Sequence, residues 1–314
     1  MQISNLSELL NAKVLNEGSM LSVGGFALNL QSLKPSYAFF SNDEEELKEA
    51  VKRGAFVVVS ERQIIVEDKD VFYLLCEDLQ KALLRLLRFL SEEKNLQFIF
   101  CDKIELEIAK IFGIQQLNAN VFLDFDLIKN AKNNTFFCLD DTTYLLKLCA
   151  KYKTLCDDFF ELQKNSSLFF STFIYKGNLY KNLSLAPFYV KFFVKWLNFL
   201  ENNMQKLTFD LKKFECYEIY FVNENYEITE FGKARKAFIV VFNEENFNFW
   251  KEKTKDIKGF KNALCNSLFC DYSYSKLEDL KQFKDFTYCL ILLQNTQEFL
   301  ELFNKKKEEE NKLF

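Results

Sequence analysis

The stretch Tyr37-Ala38-Phe39-Phe40-Ser41-Asn42-Asp43-Glu44-Glu45-Glu46-Leu47-Lys48-Glu49-Ala50-Val51-Lys52-Arg53-Gly54-Ala55-Phe56-Val57-Val58-Val59 decides the fold class. Tyr37 to Phe40 is a short apolar run of strand type. Ser41 or Asn42 stands where a helix N-cap belongs. Asp43, Glu44, Glu45 and Glu46 crowd the first turn, where the positive end of the helix dipole favours carboxylates. Gly54 closes that helix. Ala55 to Val59, with its run of β-branched residues, reads as a buried strand. A strand, a helix and a buried strand in close succession predict α/β layers.

The same alternation extends outward. Val71 to Leu75 is a strand signal. Glu77 to Leu90 is a helix with Leu79, Leu83, Leu86, Leu87 and Leu90 on one face. Leu96 to Cys101 reads as a strand and Asp102 to Phe112 as a helix. Thr135 to Leu139 is a strand, and Asp140 or Asp141 is expected to cap a helix running to about Lys153. Leu168–Tyr175 and Leu179–Leu185 flank Lys176-Gly177-Asn178, which predicts a hairpin turning on glycine. Pro187 suits the first position of a helix to about Asn202. That helix carries Phe188, Tyr189, Phe192, Phe193, Trp196 and Phe199, and is expected to be a core helix touching two layers. Further strands are expected near 217–222, 226–230, 237–242, 267–271 and 287–293. The fold expected is a layered α/β protein of two or three tightly joined domains, divided as 1–92, 93–215 and 216–314.

Composition limits the chemistry. The chain has 314 residues, half of them hydrophobic, with 37 Phe but only 2 Pro and 8 Gly, so long flexible linkers are not expected. Net charge is −4, without the basic face of a nucleic-acid binder. The run Lys305-Lys306-Lys307-Glu308-Glu309-Glu310 balances its own charges and reads as a solvated helix end. No stretch is apolar for long enough to span a membrane, and Met1-Gln2-Ile3-Ser4-Asn5 does not open like a signal peptide. The nine cysteines, an odd number, read as free thiols in a reducing cytoplasm. There is no histidine, which excludes Ser-His-Asp and Cys-His catalysis and histidine-ligated metals. Cys265 and Cys270 are the closest cysteine pair and find no second pair for a four-cysteine zinc site. Asp140-Asp141 and Asp157-Asp158 read as helix caps and surface groups. No catalytic residue, cofactor or metal ligand is assigned.

Three segments carry a family resemblance. Asn29-Leu30-Gln31-Ser32-Leu33-Lys34-Pro35-Ser36-Tyr37-Ala38-Phe39-Phe40 resembles the Asp-Ser-Arg-x-Val-x-Pro-Gly-Asp-Leu-Phe pattern of Mur ligases. Gly54-Ala55-Phe56-Val57-Val58-Val59-Ser60-Glu61 resembles their Gly-Ala strand ending in Glu. Glu77-Asp78-Leu79-Gln80-Lys81-Ala82-Leu83 resembles the Asp-x-x-x-Ala-Leu helix before their ATPase core. The resemblance covers about residues 20–112 and is nearest to the ligases that add the third residue or the D-alanyl-D-alanine dipeptide. It implies a scaffold that binds a UDP-muramoyl precursor and ATP–magnesium.

The departures fall on the groups that would do so. Leu30 and Gln31, after Asn29, stand where the family has a UDP-contacting Ser-Arg pair. Where the family has Gly-x-x-Gly-Lys-Thr, this chain has Cys101-Asp102-Lys103-Ile104-Glu105. A phosphate loop needs glycines so that backbone N–H groups can wrap the phosphates, a Lys to reach them and a hydroxyl for magnesium. This turn has no glycine and places carboxylates where phosphate would sit. Elsewhere, Gly24-Gly25 lacks a following Lys-Ser/Thr, and Gly232-Lys233 precedes a strand instead of following one. Lys233, Arg235 and Lys236 are the densest basic cluster beside a strand and the weak candidate for an anion. The function expected is a catalytically degenerate Mur-ligase-like protein, binding a cell-wall synthesis protein or UDP-muramoyl precursor. A divergent ATP-dependent ligase and an unrelated α/β interaction protein stand as alternatives.

Overall fold

The computed structural model describes residues 1–63, 65–163 and 167–304, which form two compact units. The first holds Met1–Phe159 and Phe192–Thr208. The second holds Phe160–Lys191 and the chain from Phe209 onward. The charged run 305–310 lies outside the described residues.

The first unit opens with α1 (Ile3–Leu10), β1 (Lys13–Asn16), β2 (Gly25–Ala27), β3 (Tyr37–Phe40), α2 (Glu44–Lys52), β4 (Val57–Ser60), β5 (Phe72–Leu75) and α3 (Leu79–Glu93). The strands make one sheet in the order β1-β5-β4-β3-β2, parallel except for β1. A parallel sheet is buried on both faces, and the alternation along each strand shows it. Ala38, Phe40, Val57, Val59 and Leu74 join the core beneath α1 and α3. Phe39, Val58 and Tyr73 join Leu47 and Ala50 of α2 on the other face. The N-cap of α2 is Asp43, whose carboxylate accepts the N–H groups of Glu45 and Glu46. Ser41 helps by accepting from the Asp43 N–H and bonding to Glu46. Gly54 has φ +87°, the left-handed conformation that lets the chain leave the helix and enter β4.

The unit continues with β6 (Gln97–Phe100), α4 (Lys103–Ile111), β7 (Gln115–Gln116), α5 (Val121–Asn130), β8 (Phe136–Leu139), α6 (Thr142–Leu148) and β9 (Lys153–Thr154). These strands form a wholly parallel sheet in the order β7-β8-β6-β9. The helix expected to reach Lys153 stops at Leu148. Cys149 is extended (φ −144°, ψ 155°), and Lys153 pairs with Ile99 as the edge strand β9. Parallel pairing with β6 has overridden local helix preference. The apolar face of α3 packs on α1, α5 and α6, and its leucines share one core with residues of both sheets.

The second unit starts with β10 (Glu161–Leu162), β11 (Ser171–Tyr175) and β12 (Asn178–Leu183), an antiparallel three-stranded sheet. Lys176 (φ 46°) and Gly177 (φ 79°) make the β11–β12 turn, both left-handed as a tight hairpin requires. Pro187–Tyr189 is one turn of 3-10 helix that leads into α7 (Val190–Asn202). Phe192 and the rest of α7 belong to the first unit. Then follow β13 (Tyr217–Val222), β14 (Lys236–Val241), α8 (Glu244–Thr254), β15 (Phe260–Cys265), β16 (Tyr272–Tyr274), β17 (Tyr288–Leu292) and α9 (Gln297–Phe303). The sheet order is β13-β14-β17-β15-β16, with only β13 antiparallel. Among the described residues the last strand in the chain, β17, therefore sits in the middle of the sheet.

Two expected strands here are corrected. Residues 226–230 contribute only a bridge between Val222 and Ile228. Tyr226 is left-handed (φ 61°), and its ring is committed to the core. Residues 267–271 are loop, and the strand begins at Tyr272. Asn266 (φ 49°) breaks the extended backbone first. Among the described residues no helix is long and apolar enough to cross a membrane.

Candidate functional site

The chain order of the second sheet points to the carboxyl end of β6. From β6 the chain runs to β7 at one edge, and from β8 it runs to β9 at the other. Right-handed crossovers then put α4 on one face and α5 and α6 on the opposite face. Such a reversal opens a crevice at the carboxyl ends of the two strands, where open α/β sheets bind ligands. In this chain the crevice lies beside Cys101 and Cys138.

The turn at that place makes its own hydrogen bonds. Cys101 is buried and its N–H is held by Leu139 O at 3.0 Å. A hydrogen bond with Cys138, reinforced by burial, drives the Cys101 thiol far above its ordinary range, so it stays protonated. Asp102 is the N-cap of α4. Its Oδ1 accepts the Glu105 N–H at 2.8 Å, and its own N–H donates to Glu105 Oε2 at 2.9 Å. This reciprocal capping box consumes donors that a phosphate would need. Lys103 is exposed on the first turn and Ile104 is half-buried.

Glu105 is 6% exposed and does more than cap. Its Oε1 lies 2.9 Å from Lys195 Nζ on α7, and its backbone oxygen accepts the Trp196 indole N–H at 2.8 Å. Asp157 stands 3.4 Å from the same ammonium. Burial pulls the Lys195 pKa down, but hydrogen bonding and charge attraction from Glu105, with Asp157 adding to them, outweigh it and leave the pKa raised. The aromatic residues of α7 supply the packing. Phe193 meets Phe112 at the end of α4, and Phe199 meets Phe136 edge-on. Lys195, reaching this helix end from α7, thus faces an internal carboxylate. Sequence reasoning found the turn but missed Lys195, which lies 90 positions away and carries no local signal.

Asn29, Leu30 and Gln31 form a self-satisfied turn. Asn29 Oδ1 accepts the Ser32 N–H at 2.8 Å, and Leu30 packs into the core beneath α2. The nearby cation, Arg53, donates to Leu30 O at 3.1 Å and to Glu49 at 2.8 Å. The basic cluster is dispersed. Lys233 faces Glu230 at 3.7 Å, and Arg235 is exposed. Lys236 lies over the rings of Tyr226 and Phe286 at 5.1 and 5.0 Å. Asp141 caps α6 through the Tyr144 N–H. Among the described residues no group of three Cys, Asp or Glu side chains is placed to hold a metal ion.

A cleft of about 830 Å³ opens at the carboxyl end of β5. Glu8, Asn11, Lys13, Glu61, Cys76 and Glu77 line it. Glu61 is already engaged, accepting the Leu79 N–H at the start of α3 at 2.8 Å. Burial raises the Cys76 thiol to about 11, which keeps it protonated and unreactive. The signal for this cleft was a Glu placed shortly after each of two adjacent parallel strands.

The fold is that of known ligases. The chain is similar to the MurF ligase from Thermotoga maritima in complex with ADP, at 12% identity and a TM-score of 0.50, over 88% of this chain and 96% of that one. It is also similar to MurF from Acinetobacter baumannii, at 11% identity and a TM-score of 0.53, over 97% and 99%. No known family profile matches the sequence. No curated protein matches it either. The likeness is one of architecture: an α/β protein whose mixed and parallel sheets resemble Mur ligase domains.

Proposed function

We propose that this chain is a Mur-ligase-like protein that has lost ATP-dependent ligation and works by binding, as a scaffold in peptidoglycan synthesis in the cytoplasm. One observation carries the reading. The helix that follows β6, where a ligase of this fold class would cradle phosphate, has its N-terminus closed by Asp102 and Glu105, and Lys195, which reaches that turn from α7, is paired with Glu105. An incoming triphosphate would meet two carboxylates and no free glycine backbone, an arrangement that repels anions. Loss of the Ser-Arg pair at Leu30 and Gln31 supports the same reading for the precursor's phosphates. The partner is then a cell-wall synthesis protein, or the muramoyl part of a precursor. Isothermal titration of the full chain with ATP–magnesium tests it. No heat of binding is expected, whereas micromolar affinity for ATP–magnesium would overturn the proposal.

A further inference from the structure

The connection between β15 and β16 is unusual. Parallel neighbours ordinarily need a crossover of a dozen or more residues, most often a helix. Here the short loop from Asn266 to Asp271 makes the return. At its tip Leu268 is 94% exposed and Phe269 is 86% exposed.

This tip is braced. Asn266 N–H donates to Tyr274 O at 2.8 Å, and Phe269 N–H to Ser267 Oγ at 3.2 Å. Asp271 Oδ2 accepts the Asn262 N–H at 2.9 Å. Lys251 Nζ on α8 donates to Phe269 O at 2.8 Å. The loop thus holds two large apolar side chains in water instead of folding them down, with polar bonds on both sides.

The surround is basic. Lys251 touches the loop from α8, and Lys261 faces Asp271 from β15 at 3.8 Å. Lys255 and Lys258, both exposed, lie on the segment joining those two contacts. Residues 251–261 also contain Lys253, Glu252 and Asp256, and Glu252 is paired with Lys253 at 2.7 Å. An occupant must therefore offer negative charge at its surface and apolar depth just beneath. An anionic bilayer offers both.

We propose that the 266–271 loop is a membrane-docking tip: Leu268 and Phe269 enter the acyl boundary while Lys251, Lys255, Lys258 and Lys261 meet anionic headgroups. The negative net charge of the chain does not oppose this, because exposed charges act over only about 8 Å at physiological salt. The inference is independent of the ATP question, since it concerns a surface remote in sequence from Asp102 and Glu105.

Co-sedimentation of the full chain with vesicles tests it. Binding to phosphatidylglycerol–phosphatidylcholine vesicles is expected, with at least about tenfold weaker binding to phosphatidylcholine alone. Leu268→Ser/Phe269→Ser is expected to lower anionic-vesicle binding by about tenfold or more. The double change is on an exposed loop, and an unchanged circular dichroism spectrum would confirm the fold. Lys255→Glu/Lys258→Glu is expected to weaken binding comparably and to flatten its salt dependence. Three results would overturn the proposal: no binding to anionic vesicles, equal binding to neutral ones, or binding indifferent to the loop change. Self-association of the free chain that the loop change abolishes would also overturn it, because the tip would then serve a second copy.

Discussion

Glu105 is a local cap and a long-range partner at once. Its carboxylate closes the first turn of α4 with Asp102 and neutralises Lys195, while its carbonyl receives Trp196. Removing one partner of a buried pair leaves the other charge uncompensated, which costs about 3–5 kcal/mol. Asp157 is exposed and close to Lys195, so the lower end applies. Glu105→Ala is therefore expected to lower stability by about 3 kcal/mol in urea denaturation. Glu105→Ala/Lys195→Met should recover part of that loss. A double variant no better than the single one would show that the capping role dominates. The cap is local, since Asp102 and Glu105 lie only three positions apart. The ion pair was not legible, because nothing local to either residue marks the other.

Four helices of the first unit start alike. Asp43, Asp78, Asp102 and Asp141 each accept N–H groups at the N-terminus of a helix; the sequence pointed to Asp140 or Asp141 for α6, but for α2 it pointed to Ser41 or Asn42, one or two positions before the true cap. The Lys81 N–H holds the Asp78 carboxyl below its ordinary value. A carboxylate with a depressed folded pKa contributes stability that is complete above the unfolded value and is lost as pH falls through the folded one. Asn caps a helix without titrating. Asp78→Asn should therefore match the wild type near neutrality and lose less stability as the pH drops below the carboxylate range. Urea midpoints measured against pH check this; parallel acid limbs would refute it. Elements fixed by distant pairing were less legible. The helix stopped at Leu148 because β9 pairs with β6, and 226–230 failed as a strand because Tyr226 turns its ring into the core. Both outcomes depend on residues far along the chain.

At the scale of the whole molecule, α3 is the spine of the first unit. Leu83, Leu86 and Leu87 are fully buried in a core that also holds Val57 and Val59 of β4 and Phe98 and Phe137 of β6 and β8. Leu86→Ala should cost about 3 kcal/mol. It should also speed amide hydrogen exchange in β4 and β6 together. Faster exchange in one sheet alone would show that the sheets open independently. The layered α/β class was legible from the strand and helix periods in the first third. The strand order was not, since periodicity carries no information about neighbours. That order matters during synthesis. In the second unit β17 is made after the other described strands of its sheet, yet it lies between β14 and β15, and Ala237 of β14 faces Tyr288 roughly fifty residues later. Until β17 leaves the ribosome, β13–β14 and β15–β16 are two half-sheets with open inner edges. Such edges pair readily with other chains. The nascent second unit is therefore most vulnerable to aggregation in the interval just before β17 emerges, and β17 completes the sheet from the inside.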